Sequence, residues 1–137
     1  MIDIKDFDLQ VYLLVRFNLD SPEEITQQAL DSVTHLIITS GQDPVLDDIE
    51  QFPISCETTT FCTPNDILQF RNLRFLRISG QRRLIGTLVV PPSVEELHII
   101  DCYPMNVQIG DMTFKTKQNE PFSWVKEEGL FINNKKK

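Results

Sequence analysis

The 137-residue chain has no apolar run near the eighteen or so residues of a membrane span. Its start, "MIDIKDFDLQVYLLVRFN", is acidic and has charges on both sides of a short apolar core, unlike a secretory leader. The expected compartment is therefore the cytosol, of the source cell or of a host. There are only three cysteines, Cys56, Cys62 and Cys102. An odd number at loose spacing excludes a disulfide framework and a paired-cysteine zinc site, leaving thiols that pack as small apolar groups. Only two histidines occur, His35 and His98. The chain lacks G-x-S-x-G, G-x-x-x-x-G-K-[ST], G-x-G-x-x-G and H-E-x-x-H, so none of the nucleophile, phosphate, dinucleotide or zinc-protease motifs is present.

What is present is ordinary for a globular protein: 41% apolar and 24% charged residues. This length suits one domain and buries enough surface to need no staple. The expected domain covers residues 1–132, followed by a disordered basic tail at 133–137. Net charge is −7, unevenly spread: residues 1–60 carry −10 and residues 61–137 carry +3. Five arginines crowd one strip: Arg71, Arg74, Arg77, Arg82 and Arg83. An acidic half beside such a strip argues against general nucleic-acid binding and leaves room for a charge-complementary protein partner.

Along the chain, "DLQVYLLVRFNL" is β-branched, aromatic and aliphatic and reads as a strand. "DSPEEITQQALDSV" reads as a helix over 21–33, with Ser21 as cap, Pro22 at the first position and Glu24 completing a capping box. "THLIITSG" reads as a strand and "QDPVLDDIEQFP" as an acidic loop or one short helix. "CETTTFC" is strand-like, and "TPNDILQFRN" is a short helix capped by Thr63. "LRFLRISG", "GTLVV" and "EELHIID" are short strands. "NVQIGDMTFKT" gives one or two more.

One spacing recurs. Val94, Leu97 and Ile99 sit at offsets 0, 3 and 5, as do Leu73, Leu76 and Ile78, and again Val33, Leu36 and Ile38. This is L-x-x-L-x-L. The copies at 73 and 94 lie 21 residues apart, and those at 33 and 73 lie 40 apart, about two periods. The first apolar residue turns inward before the strand, and the next two share one face of it. Such a strand cannot bury its face alone and must stack on the next copy.

"LRFLRISGQRRLIGTLVVPPS" followed by "VEELHIIDCYPMNVQI" resembles the short leucine-rich repeats of bacterial secreted effectors. The resemblance is best over residues 71–109, moderate over 30–41, and absent as a clean copy over 42–70. Leu84 and Leu88 occupy its return segment, and Pro91, Pro92 and Ser93 its step into the next strand. Gly41, Gln81 and Cys102 fall at its ladder position. The resemblance implies an α/β fold: a small leucine-rich-repeat-like solenoid with a parallel sheet of short strands, irregular in the middle and capped at both ends. The helix at 21–33, longer than short repeats need, would be an N-terminal cap or the convex side of a helical repeat. Phe122, Trp124, Leu130 and Phe131 of "PFSWVKEEGLFI" would cover the open end of the solenoid, or serve as anchors for a partner.

Residues between the core positions would point out of the concave face. They form columns of His35, Phe75 and Glu96; Ile37, Arg77 and His98; and Thr39, Ser79 and Ile100. Aromatic, arginine, histidine and aliphatic side chains on one open surface suit an interface. The candidate partner-binding residues are His35, Ile37, Phe75, Arg77, Glu96 and His98. A Cys102–His98 nucleophile pair can be drawn, with no evident third member. The acidic pairs Asp47–Asp48 and Glu95–Glu96 read as solvated, and "QDPVLDDIE" lacks EF-hand spacing. The expected function is non-catalytic binding of a protein partner, as an inhibitor, effector or adaptor, with no cofactor, metal or membrane. Exposed aliphatics on a sheet also leave room for self-association. The competing readings are an enzyme of unrecognised type and a phosphate or nucleic-acid binder using the arginine strip.

Overall fold

The computed structural model describes residues 2–39, 54–57, 61, 63–84 and 86–126. The chain opens with helix α1, Phe7–Arg16, where a strand was expected. Its apolar residues run almost continuously, which hides the helical period. The ends decide the matter. Asp6 caps the start, accepting the Leu9 N–H at 2.8 Å. Asn18 closes the end in the left-handed region (φ 57°). The N–H of Asn18 then donates to Val15 O and that of Leu19 to Leu14 O, the bonds of a Schellman stop. Leu9 and Leu13, four apart, are fully buried.

The helix expected over 21–33 is broken. Pro22–Glu24 is a single 3-10 turn, and Ser21 makes no capping bond. Glu24 instead accepts the Asp20 N–H. Ile25 is extended (φ −70°, ψ 121°), and helix α2 starts afresh at Gln27–Asp31 with Thr26 as cap. Pro64–Gln69 is a further 3-10 helix.

Among the described residues, eight strands follow the helical start: β1 His35–Thr39, β2 Ile54–Glu57, β3 Phe75–Ser79, β4 Thr87–Val89, β5 Glu96–Ile100, β6 Asn106–Ile109, β7 Met112–Lys115 and β8 Phe122–Val125. They form two mixed sheets in an α/β arrangement. The larger runs β2-β1-β3-β5-β8, the smaller β4-β6-β7. In the larger sheet β2, β1, β3 and β5 are parallel, and β8 adds antiparallel to β5. In the smaller sheet β4 and β6 are parallel, and β7 returns against β6.

Two consecutive copies of the recurring pattern lie in step. Phe75 pairs with Glu96 in the larger sheet, and Thr87 with Asn106 in the smaller one. Backbone bonds continue the stacking between strands: Arg74 N–H to Thr34 O and Glu95 N–H to Arg74 O, both 2.7 Å. The turn after β3 uses Gly80 (φ 70°) and the matching turn after β5 uses Asp101 (φ 55°). Ser93, in the proline-rich step, donates to Leu73 O at 2.6 Å.

The interval from 33 to 73 is not two periods in space. β1 lies directly against β3, pairing His35 with Phe75, while β2 adds to the outer edge of β1. The 40-residue separation is thus a single step, and chain order departs from sheet order.

All nine residues of the three L-x-x-L-x-L copies are buried at 2% exposure or less. They join Leu84, Leu88 and Val107 from the return side, and Phe61, Ile67, Phe70, Leu9 and Leu13 from the start of the molecule, in one cluster. Phe122 and Trp124 of β8 belong to it too. The acidic stretch at 42–53, Leu130, Phe131 and the basic tail lie outside the described residues.

Candidate functional site

The core of the larger sheet takes the even positions of β1, Leu36 and Ile38, and their neighbours in register. Alternation along a strand sends the intervening residues to the opposite face. Parallel pairing sets His35, Phe75 and Glu96 in one row, completed by Val125 of β8. The next row holds Ser55, Ile37, Arg77, His98 and Ser123. His35, Phe75, Arg77, Glu96 and His98 are half-buried.

Two of the expected face residues are not presented to solvent. Ile37 is 2% exposed, with β2 and β3 on either side of it, and Ser79 is fully buried. Ile37 is therefore removed from the set of contact residues. Ile100, at the far end of the face, stays half-buried.

Three rings form a continuous track across the strands. His35 and Phe75 stack with centroids 5.7 Å apart and planes 20° apart. Phe75 and His98 follow at 5.6 Å, tilted by 43°. A cavity of about 540 Å³ opens beside this track, walled by His35, Arg74, Phe75, Glu95, Glu96, Val125 and Lys126.

Polar groups fix the rings. His98 Nε2 lies 2.6 Å from Glu96 Oε2, and Nδ1 lies 2.9 Å from Ser123 Oγ. An ionised glutamate only accepts, so in the neutral imidazole Nε2 carries the hydrogen. Nδ1 then accepts from the Ser123 hydroxyl. Thr34 Oγ1 lies 2.9 Å from His35 Nδ1. Burial, and secondarily the positive charge of Arg74, lowers the His35 pKa below its ordinary 6.5. Both effects oppose placing a second positive charge there, so the imidazole is neutral at pH 7.

The drawn Cys102–His98 pair is not formed. The Cys102 thiol is buried and directed at the carbonyls of Ile100 (3.5 Å) and Ile78 (3.8 Å). His98 is held by Glu96 and Ser123 instead. Gln81, at the corresponding turn after β3, also bonds backbone. Its amide donates to Ser79 O at 2.9 Å and accepts the Phe61 N–H at 3.0 Å. Gly41 lies outside the described residues.

Three of the five arginines of the strip are paired with carboxylates. Arg71 makes a two-point bond to Asp31 of α2, 3.0 Å from Nε and 2.6 Å from Nη2. Arg74 pairs with Glu95 at 3.0 Å and Arg82 with Asp101 at 3.4 Å. Among the described residues, no group of three or more His, Cys, Asp or Glu side chains could hold a metal ion. None of the described helices is long and apolar enough to cross a membrane.

The sequence reading missed Ser123, Val125 and Lys126. They enter the face only because β8 pairs with β5, and alternation within "FSWV" alone does not name that partner. It missed Arg74 and Glu95 as cavity walls because both precede their strands. No protein-family model, curated protein or solved structure matches the chain.

Proposed function

We propose that the chain is a leucine-rich-repeat-like solenoid that binds a partner protein through the open face of its larger sheet, without catalysis. The observation that carries this reading is the half-buried ring track His35–Phe75–His98, whose His35 and Phe75 line a cavity beside charged groups. Aromatic and arginine anchors framed by polar groups are what interfaces concentrate. The face residues sit on paired strands, so little order need be gained on binding. His35, Phe75, Arg77, Glu96 and His98 are the contact set, with Arg74, Val125 and Lys126 at its rim. The mechanism is steric and electrostatic occupation, as in an inhibitor, an effector or an adaptor.

The test is affinity capture from lysates of the source cell and of any host. Wild-type protein is compared with Phe75→Ala/Arg77→Glu and with a control altered on α1, all matched in thermal midpoint. A partner that the control retains and the face variant loses supports the reading. A partner that both retain removes the open face as the site.

A second reading, an enzyme, is favoured by one observation: the chain of bonds Ser123–His98–Glu96 places a hydroxyl, a base and an orienting carboxylate in the order of a nucleophile triad. The same bonds also pin β8 to β5, as cross-strand pairs do. Labelling with a fluorophosphonate distinguishes the two. Adduct on Ser123 that is lost in His98→Gln supports the enzyme, and no adduct leaves the bonds structural.

A further inference from the structure

Helix α1 is apolar on two sides. Leu9 and Leu13 are fully buried on the inner side, where they join the core. On the other side Phe7 is 73% exposed, Val11 39% and Val15 75%. Four-residue spacing aligns these three on one stripe. A helix seated on a core needs only one apolar stripe, so the second calls for a separate explanation.

We infer that the outer stripe is the seat of a two-fold contact with a second copy of the chain, the two α1 helices lying antiparallel about an axis through Val11. Three features single out this occupant. The stripe is self-complementary in spacing, because Phe7 lies four residues before Val11 and Val15 four after it. An antiparallel copy therefore sets Phe7 against Val15 of the second copy at both ends, large against small, and Val11 against its own counterpart. A two-fold contact requires such a patch.

Charge agrees. The first turn of α1 carries Asp8 and the last turn Arg16. Antiparallel alignment brings each Asp8 towards the end holding Arg16 of the second copy, and opposes the helix dipoles favourably. Parallel alignment would crowd like charges at each end. Finally, size fixes the strength. A helix of 10 residues is only about 15 Å long, so the contact falls below a standard interface and the dimer is weak and concentration-dependent. The stripe shares no residue with the open sheet face, so this inference stands independently of the binding reading.

The experiment is sedimentation of the full chain over a concentration series, beside Val11→Asp, with oxidative cross-linking of Val11→Cys. The expected result is a wild-type mass that rises towards twice the monomer, and a Val11→Asp protein that stays monomeric with an unchanged melting midpoint. Val11→Cys should form covalent dimer well beyond the wild-type background set by the native cysteines. A monomer at every concentration overturns the inference. So does a dimer that persists in Val11→Asp, or cross-linking no greater than wild type. A different protein that binds wild type and not Val11→Asp, while the chain stays monomeric, would assign the stripe to that partner and overturn the second copy.

Discussion

The carboxylate of Asp66 accepts the backbone N–H of Asp6 at 2.8 Å, across sixty residues of sequence. It also accepts the Lys5 N–H at 2.9 Å and the Thr63 hydroxyl at 2.8 Å, while being 1% exposed. One buried side chain thus ties the start of α1 to the 3-10 helix at Pro64–Gln69.

Asp66→Asn keeps the shape but turns an amide NH2 towards these donors. Buried N–H groups left without an acceptor cost about 1–3 kcal/mol each, so a loss of about 3 kcal/mol is expected. Urea denaturation should show a lower midpoint at unchanged slope. Amide exchange should show α1 opening before β3 and β5. A change below about 0.5 kcal/mol would mean that the tether carries no stability.

Gln81 performs a comparable task inside the molecule, satisfying the buried Phe61 N–H. Gln81→Met preserves volume and removes both amide bonds. The buried Phe61 N–H, left without its amide acceptor, is expected to lower stability by about 2 kcal/mol. Thermal melts of the variant check this. An unchanged midpoint would show that the turn rearranges freely.

The Arg71–Asp31 pair makes stability depend on pH. Hydrogen bonds from Arg71 and then Gln27 hold the Asp31 carboxyl at about 2, below its ordinary 3.8. A depressed folded pKa means the unfolded chain binds the proton first. The contribution is complete above pH 3.8 and is lost as pH falls towards about 2. Carboxyl titration by NMR should find Asp31 near the low value, and Arg71→Gln should raise it. An Asp31 that titrates normally in wild type would show the pair is not formed in solution.

His35 runs in the same sense, in a higher pH window. Its folded pKa lies below the ordinary 6.5, so the unfolded chain takes up a proton that the folded chain resists. Stability therefore falls as pH drops through 6.5 towards the folded value. Imidazole proton shifts should titrate below 6.5 in wild type, and Arg74→Gln should move them part of the way back. Titration above 6.5 would show that burial and Arg74 do not govern this ring.

Local chemistry settled a good deal in advance. Val33, Leu36 and Ile38 and their two counterpart sets are core because their spacing allows no other common face. The columns led by His35 and Ile37 follow from the same spacing through the parallel register. Exposure was not legible: Ile37 and Ser79 share a face with Arg77, yet both are buried. Sequence reading also failed where apolar residues filled both sides of an element. Residues 7–16 show no period, because one side of α1 meets the core and the other remains outside. The helix at 21–33 failed for a different reason. Ile25 is extended and Thr26 caps a new helix, so the capping box at Ser21 was a local possibility that did not form.

The sequence by itself determined the strands of the recurring pattern, β1, β3 and β5, their inward faces, and the turns at Gly80 and Pro91–Ser93, since these depend on side-chain alternation and backbone freedom within a few residues. Only the tertiary structure decided which strands meet. β2 lies outside β1, β8 closes on β5 and brings Ser123 to His98, and Asp66 reaches back to Asp6. Each of these brings together segments distant in the chain, and such pairings are selected by the burial and hydrogen bonding of the whole fold. No local pattern encodes that choice.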